Sequence, residues 1–124
     1  MPHLLLEHTA NLTAPLDHRA VLDELHAVMS RTGEFNAADI KGRILAHEHH
    51  RAGDGDPRRV FAHLTVSIKS GRSVEFRKQL STDLLAVLRR AFERTWNERP
   101  TDLTVDVREM VAETYAKAVN PPAH

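Results

Sequence analysis

The order of apolar and polar positions predicts a β-α-β unit in the first half of the chain. Residues 2–8 contain an apolar run of three leucines, which is typical of a short strand covered on both faces. A helix is predicted over about residues 16–31, and Gly33 is well placed to cap its end. Its apolar side chains recur at helical spacing: Val21, Leu22, Leu25, Val28 and Met29. Residues 40–44 alternate in polarity and predict the second strand.

The second half repeats this order after an exposed loop predicted over residues 49–57. Residues 60–68 are predicted to form a strand, and Ser73 is a candidate N-cap for the helix that follows. The helix has an apolar stripe at spacings of three and four: Leu80, Leu84, Val87, Leu88, Ala91 and Phe92. Pro100 closes this helical region. Alternation over residues 103–107 predicts the last strand, and Asn120-Pro121-Pro122 is expected to be a terminal tail.

The two halves, about residues 1–57 and 58–124, resemble each other within one domain of 124 residues. His3-Leu4 and His63-Leu64 each lie early in a predicted strand, 60 positions apart. We therefore predict an α+β two-layer fold in which duplicated β-α-β units form a four-stranded sheet with two helices on one face. The opposite face would be uncovered, which favours self-association.

Composition narrows the class of protein. Lysine plus arginine number 17 and aspartate plus glutamate also number 17, so no basic surface indicates nucleic acid or an anionic membrane as a partner. Cysteine is absent, which excludes disulfides and thiolate catalysis. The first residues lack a basic signal-peptide region, and no apolar stretch approaches the roughly 20 residues of a membrane span. These features predict a cytoplasmic protein.

A proline directly after the initiator methionine, opening a duplicated β-α-β chain, resembles the tautomerase superfamily. Within it the chain is similar to the 5-carboxymethyl-2-hydroxymuconate isomerase family over most of its length. Five blocks carry the resemblance together: Pro2-His3 with Glu7, Thr32-Gly33-x-Phe35, Ile40-x-x-Arg43, Ala62-His63-x-Thr65 and Gly71-Arg72-Ser73-x-Glu75-x-Arg77. The resemblance implies a homotrimer, no cofactor, and an amino-terminal proline that acts as a base on an unsaturated 2-hydroxy diacid in aromatic degradation.

Pro2 is the candidate catalytic base. Once Met1 is removed, Pro2 has a free secondary amine, whereas an internal proline has no basic nitrogen. An apolar pocket and nearby cations would both lower the pKa of this amine and leave more of it neutral at pH 7. The alternative is that Pro2 only begins a strand, where proline is tolerated.

Lys41, Arg43 and Arg72 are the candidate substrate-binding residues. Fixed cations bind carboxylates, and arginine can hold one in two places. Lys41 stands where the family commonly has arginine, so it keeps the charge without the fork. All three could instead be ordinary surface charges. For Arg77 we expect an ion pair with Glu75 or Asp83, while Phe35 either lines the pocket or packs in the core.

The histidines do not predict a metal site. His47 and His49 could share one face of a strand, but no third ligand is organised near them in the sequence. We expect a solvated or interface cluster there, and we expect His63 to be a hydrogen-bonded histidine of the core or an interface.

Two other functions remain open at this point. A non-catalytic trimeric binding or structural module can keep the same fold, because a fold does not guarantee its usual chemistry. A tautomerase-superfamily enzyme with another substrate or reaction, such as hydrolytic dehalogenation, can use the same proline.

Overall fold

A computed structural model describes residues 1–120, so Pro121 and Pro122 of the expected tail lie outside the described residues. The strands are β1 (His3–Thr9), β2 (Lys41–His47), β3 (Val60–Lys69) and β4 (Thr101–Met110). The helices are α1 (His18–Arg31), α2 (Val74–Ala91) and α3 (Glu93–Glu98). Single turns of 3-10 helix cover Ala37–Asp39 and Ala112–Thr114.

The four strands form one mixed sheet in the order β2-β1-β3-β4. The outer pairs, β1 with β2 and β3 with β4, are parallel, and α1 and α2 make the crossovers within these pairs. The central pair is antiparallel, with Leu5 opposite Thr65 near its middle. The predicted fold class is therefore confirmed, because two parallel β-α-β units lie side by side in one sheet.

Both long helices cover the same face of this sheet. Along β1 and β3 buried and partly exposed positions alternate, so every second side chain faces the helices. The buried core combines strand and helix positions: Leu4, Leu6, Val21, Leu25, Val28, Met29, Ile40, Ala62, Leu64, Val66, Ile68, Leu80, Leu84, Val87, Leu88 and Phe92. The apolar stripes predicted for the two helices supply much of this set.

Side-chain caps fix where the helices begin. Ser73 accepts a hydrogen bond from the backbone N–H of Phe76 at 3.0 Å, as predicted for the start of α2. Asp17 does the same for the N–H of Ala20 at 3.1 Å and sets the start of α1, a role we did not predict. Gly33 follows α1 with a φ of +74°, the left-handed conformation that glycine adopts most easily, and this agrees with the predicted cap.

The structure differs most from the predicted elements at the end of α2 and in the lengths of β2 and β4. β4 spans Thr101–Met110 rather than residues 103–107, because it pairs with β3 along its whole length. α2 ends at Ala91 and a separate short α3 follows, because Phe92 turns into the core, where only 2% of it is exposed, with non-helical backbone angles. β2 continues beyond residue 44 to His47, because it pairs with β1 as far as Thr9. Strand pairing, rather than the alternation of polarity, sets the length of β2.

The sheet face opposite the helices is partly exposed in the single chain. Few apolar side chains lie on this face. Its polar side chains include His3, Glu7, His63, Thr65 and Ser67. Among residues 1–120, none of the helices has the length and apolarity needed to cross a membrane.

Neighbouring leucines of α2 test the position of the core. Leu84 is 0% exposed and Leu85 is 38% exposed. We expect Leu84→Ala to lower the free energy of unfolding by about 2–5 kcal/mol, since it leaves a cavity in the core. Leu85→Ala should lower it by about 1 kcal/mol or less. Urea unfolding at one fixed protein concentration measures both, and equal losses would contradict this packing.

Candidate functional site

Pro2 lies where β1 and β2 begin and β3 and β4 end; we call this end of the strands the sheet edge. It is buried, and its carbonyl accepts a hydrogen bond from the backbone N–H of Lys41 at 3.1 Å. This bond places the first residue of β2 beside the start of β1. In the full-length chain the nitrogen of Pro2 belongs to an amide, and Met1 carries the amino group one residue earlier.

Cationic side chains gather around this amino terminus. Burial lowers the pKa of the Met1 amine from 8.0, and the positive charges of Lys69, Lys117 and Arg72 lower it further, against an opposing contribution from Asp39. Three cations from different parts of the chain therefore act on one amine.

A cavity of about 450 Å³ opens beside the start of β1 and β2. It is bounded by the sheet edge and by the C-terminal segment, residues 111–120. Its lining residues are His3, Lys41, Tyr115, Lys117, Ala118, Val119 and Asn120. Two of these are lysines, so the cavity is suited to an anionic molecule.

A chain of hydrogen bonds runs from Arg43 through His3 to Tyr115, and the last two of these line the cavity. Nη2 of Arg43 lies 3.0 Å from Nδ1 of His3, and Nε2 of His3 lies 3.1 Å from the hydroxyl of Tyr115. Burial lowers the pKa of His3, and the charges of Arg43 and Lys41 lower it further. His3 is therefore favoured in its neutral form.

Lys41 and Lys117 are both fixed by Asp39. Nζ of Lys41 donates to the backbone carbonyl of Asp39 at 3.1 Å, and Nζ of Lys117 lies 3.1 Å from its carboxylate. Lys117 also lies 2.9 Å from the sulfur of Met1. These contacts hold the C-terminal segment against the start of the chain.

Arg72 occupies the turn between β3 and α2. Its Nη2 donates to the carbonyl of Glu34 at 2.9 Å, and its guanidinium lies 4.5 Å from the ring centroid of Phe35. Phe35 in turn packs against Phe76 at a centroid distance of 6.1 Å. Phe35 thus belongs to the edge of the core and supports Arg72 from below.

Glu109 braces the same turn from β4. Gly71 has a φ of +120°, which favours glycine, and its N–H donates to the Glu109 carboxylate at 3.2 Å. The other carboxylate oxygen lies 3.6 Å from Nη2 of Arg77. The expected partners of Arg77, Glu75 and Asp83, were therefore wrong, because β4 runs beside the start of α2 and supplies a nearer acid.

His47 and His63 each make one side-chain hydrogen bond. Nε2 of His47 lies 2.8 Å from the carboxylate of Glu7, and Nδ1 of His63 lies 2.6 Å from the hydroxyl of Thr104. Within residues 1–120, no group of three or more histidine and acidic side chains is arranged to hold a metal ion.

The predicted site residues thus lie at one sheet edge in two groups. The charges of Lys41 and Arg43 lower the pKa of His3, while the charge of Arg72 lowers the pKa of the amino terminus. Sequence reasoning missed Lys69, Tyr115 and Lys117. Lys69 ends β3 just before the Gly71-Arg72 block, which is a usable signal, whereas the C-terminal segment has no apolar periodicity that would place its side chains.

Two β-α-β units side by side in one sheet, with Pro2 just before the first strand, form the fold of the tautomerase superfamily. Residues 2–123 match the sequence model of the 5-carboxymethyl-2-hydroxymuconate isomerase family, and the chain belongs to that family of isomerases. It is 26% identical over 110 residues to 5-carboxymethyl-2-hydroxymuconate Delta-isomerase of Escherichia coli, covering 89% of this chain and 87% of the relative.

Solved structures agree with this assignment. A 5-carboxymethyl-2-hydroxymuconate isomerase from Deinococcus radiodurans R1 superimposes with a TM-score of 0.88 at 30% identity, covering 96% of this chain and 90% of its own. A "Q0 fused 4-OT wild type symmetric trimer" has a TM-score of 0.66 at 17% identity, covering 94% and 91%. The second likeness shows the fold alone.

The brace on the Arg72 turn can be tested by stability. We expect Glu109→Ala to lower the free energy of unfolding by about 1 kcal/mol, because Gly71 loses a charged hydrogen-bond acceptor and Arg77 its ion pair. Asp106→Ala on the same strand removes only the exposed pair with Arg108 and should change it little. Thermal and urea unfolding compare the two variants; a larger loss for Asp106→Ala would contradict the brace.

Proposed function

We propose that this chain is a cofactor-free enol–keto tautomerase acting on an unsaturated 2-hydroxy diacid of the 5-carboxymethyl-2-hydroxymuconate type. The nitrogen of Pro2, freed by removal of Met1, is the base. The observation that carries the proposal is the position of the amino terminus, among cations and beside a cavity lined by lysines. The family of the chain supports an isomerisation, and the E. coli relative supports the class of substrate.

The reaction moves one proton and changes no oxidation state overall. The Pro2 nitrogen takes the proton of the enol hydroxyl, the electron pairs shift along the conjugated system, and the oxygen becomes a ketone. The same nitrogen then returns the proton to a distal carbon. The cations that lower the pKa of the Met1 amine would also lower that of the Pro2 amine, which leaves more of the neutral form that a general base needs.

Carboxylate binding is the role proposed for Arg72, Lys41 and Arg43. Arg72 is held on the Phe35 ring, so its guanidinium is ordered before substrate arrives. Lys41 lines the cavity directly. Arg43 uses one of its five N–H groups on His3 and keeps others for a carboxylate.

A homotrimer is the proposed assembly, and the carboxylate substrate is the only other partner proposed. The partly exposed sheet face gives a surface for other copies of the chain to cover. The symmetric trimer named among the structural neighbours supports the idea through the shared fold. A role in aromatic degradation, which the family resemblance implies, and a cytoplasmic location are part of the proposal.

Replacement of Pro2 tests the base. We expect Pro2→Ala to lower kcat/KM by roughly 10²-fold for a 2-hydroxymuconate-type diacid, because it leaves a primary amine of different basicity and shape. In the parent enzyme kcat/KM should rise with pH and level off, since the neutral amine is the active form. The cations that lower the pKa of the Met1 amine should also lower that of the Pro2 amine and move the midpoint of this rise to lower pH. Ultraviolet absorbance of the diacid follows the reaction.

The control for this experiment is the state of the terminus. A mass spectrum of the intact protein shows whether Met1 has been removed. Unchanged turnover by Pro2→Ala would rule out the proline mechanism. Retained Met1 in the protein isolated from cells would favour a non-catalytic binding module of the same fold.

Replacement of Arg72 tests the carboxylate contacts. Arg72→Ala should lower kcat/KM for a diacid by about ten- to a hundredfold, the usual effect of losing a hydrogen bond to a charged group. Arg89, stacked on Trp96 away from the cavity, is the matched arginine, and Arg89→Ala should leave kcat/KM unchanged. An equal loss for a neutral enol ester would argue against a carboxylate role for Arg72.

A further inference from the structure

We propose that the hydroxyl of Tyr115 is a catalytic hydrogen-bond donor to the substrate oxygen that changes from enol to ketone. The inference rests on the proposed function, since it assigns a residue to the same cavity. Its basis is the chain of hydrogen bonds from Arg43 through His3 to Tyr115.

Arg43 determines which nitrogen of His3 carries the proton. A guanidinium has only donors, so Nδ1 of His3, 3.0 Å from Nη2 of Arg43, must accept. Neutral imidazole has one N–H, which therefore lies on Nε2. Burial and the charges of Arg43 and Lys41 lower the pKa of His3 and keep the ring neutral.

His3 then determines the direction of the Tyr115 hydroxyl. Nε2–H donates to the Tyr115 oxygen at 3.1 Å, so the hydroxyl proton of Tyr115 is not used in this bond. Tyr115 lines the cavity together with Lys41 and Lys117, and its proton is available to a molecule bound there. Both nitrogens of His3 already take part in hydrogen bonds, so Tyr115 is the neutral group in this series of hydrogen bonds that can donate to a bound molecule.

The backbone around Tyr115 holds the ring in place. Its N–H bonds to the carbonyl of Ala112 at 3.3 Å within the 3-10 turn, and Lys117 ties the following residues to Asp39. Nζ of Lys69 lies 5.9 Å from the centroid of the ring. A donor fixed before the reaction stabilises charge without reorganising during it.

The chemistry requires a donor of this kind. As the base removes the enol proton, negative charge develops on the oxygen that becomes the ketone. A phenol hydroxyl can share its hydrogen with that oxygen more strongly than with a neutral enol, which lowers the barrier rather than the KM. The lysines and arginines are better matched to the permanent charges of the carboxylates.

The test is Tyr115→Phe, which removes the hydroxyl and keeps the ring. We expect kcat for a 2-hydroxymuconate-type diacid to fall by roughly 10²-fold, with KM little changed. Trp96→Phe, an aromatic replacement on the outer surface, is the control and should keep the parent kcat. Circular dichroism and urea unfolding verify that both variants fold.

A second measurement is independent of turnover. Nitrogen-15 NMR of histidine-labelled protein, with His3 assigned by His3→Gln, should show the proton on Nε2. A proton on Nδ1 would overturn the inference, as would a parent-like kcat for Tyr115→Phe or a loss confined to KM. If the parent protein isomerises no such diacid, the proposed function fails and this inference with it; if only Tyr115→Phe behaves otherwise, the proposed function stands.

Discussion

The antiparallel pairing of β1 with β3 is the constraint on which the site depends. His3 lies opposite Ser67, so the end of β3, with Lys69, reaches the start of the chain. Parallel pairing then extends this edge on both sides: Lys41 begins β2 next to His3, and Met110 ends β4 next to Lys69. Two strand beginnings and two strand ends meet at one edge, and every residue proposed for the chemistry comes from that edge or from the loops beside it.

This edge concentrates positive charge in a chain whose formal net charge is zero. Lys69, Lys117 and Arg72 lower the pKa of the amino group, while Arg43 and Lys41 lower that of His3. Like charges held together cost stability, and favourable contacts with other groups offset part of that cost. Such contacts are present, because Asp39 holds both lysines of the cavity and Glu34 with Phe35 holds Arg72. The fold thus keeps the cations together before any anion binds.

Hydrophobic periodicity was enough to predict the sheet, both long helices and the face they cover. Each of these features depends on burial of apolar side chains, and burial leaves a regular pattern in the sequence. Phe92 broke the pattern, because a buried aromatic continued the α2 stripe although the helix had already ended. For the site, Pro2, Lys41, Arg43 and Arg72 were chosen from motifs, and their roles stay predictions.

The partners of these residues could not be predicted in the same way. Tyr115 meets His3 across 112 positions of sequence, and Glu109 meets Gly71 across 38. Such contacts depend on strand order and on the path of the C-terminal segment, neither of which is visible in local spacing. Glu109, like Tyr115, could not be recognised from the sequence, because an acid near the end of a strand resembles ordinary surface charge until its partner is known.

The contacts of Lys41 determine how its positive charge is presented to the cavity. A guanidinium would present a planar fork to a carboxylate, whereas the ammonium of Lys41 is a single charge, positioned by its hydrogen bond to the Asp39 carbonyl. The ammonium of Lys117 is positioned by the carboxylate of the same residue. The cavity therefore has two ammonium groups that contact the same residue, one through the carbonyl and one through the carboxylate of Asp39. In the proposed function, two such charges would suit carboxylates that lie apart better than one carboxylate held in a fork.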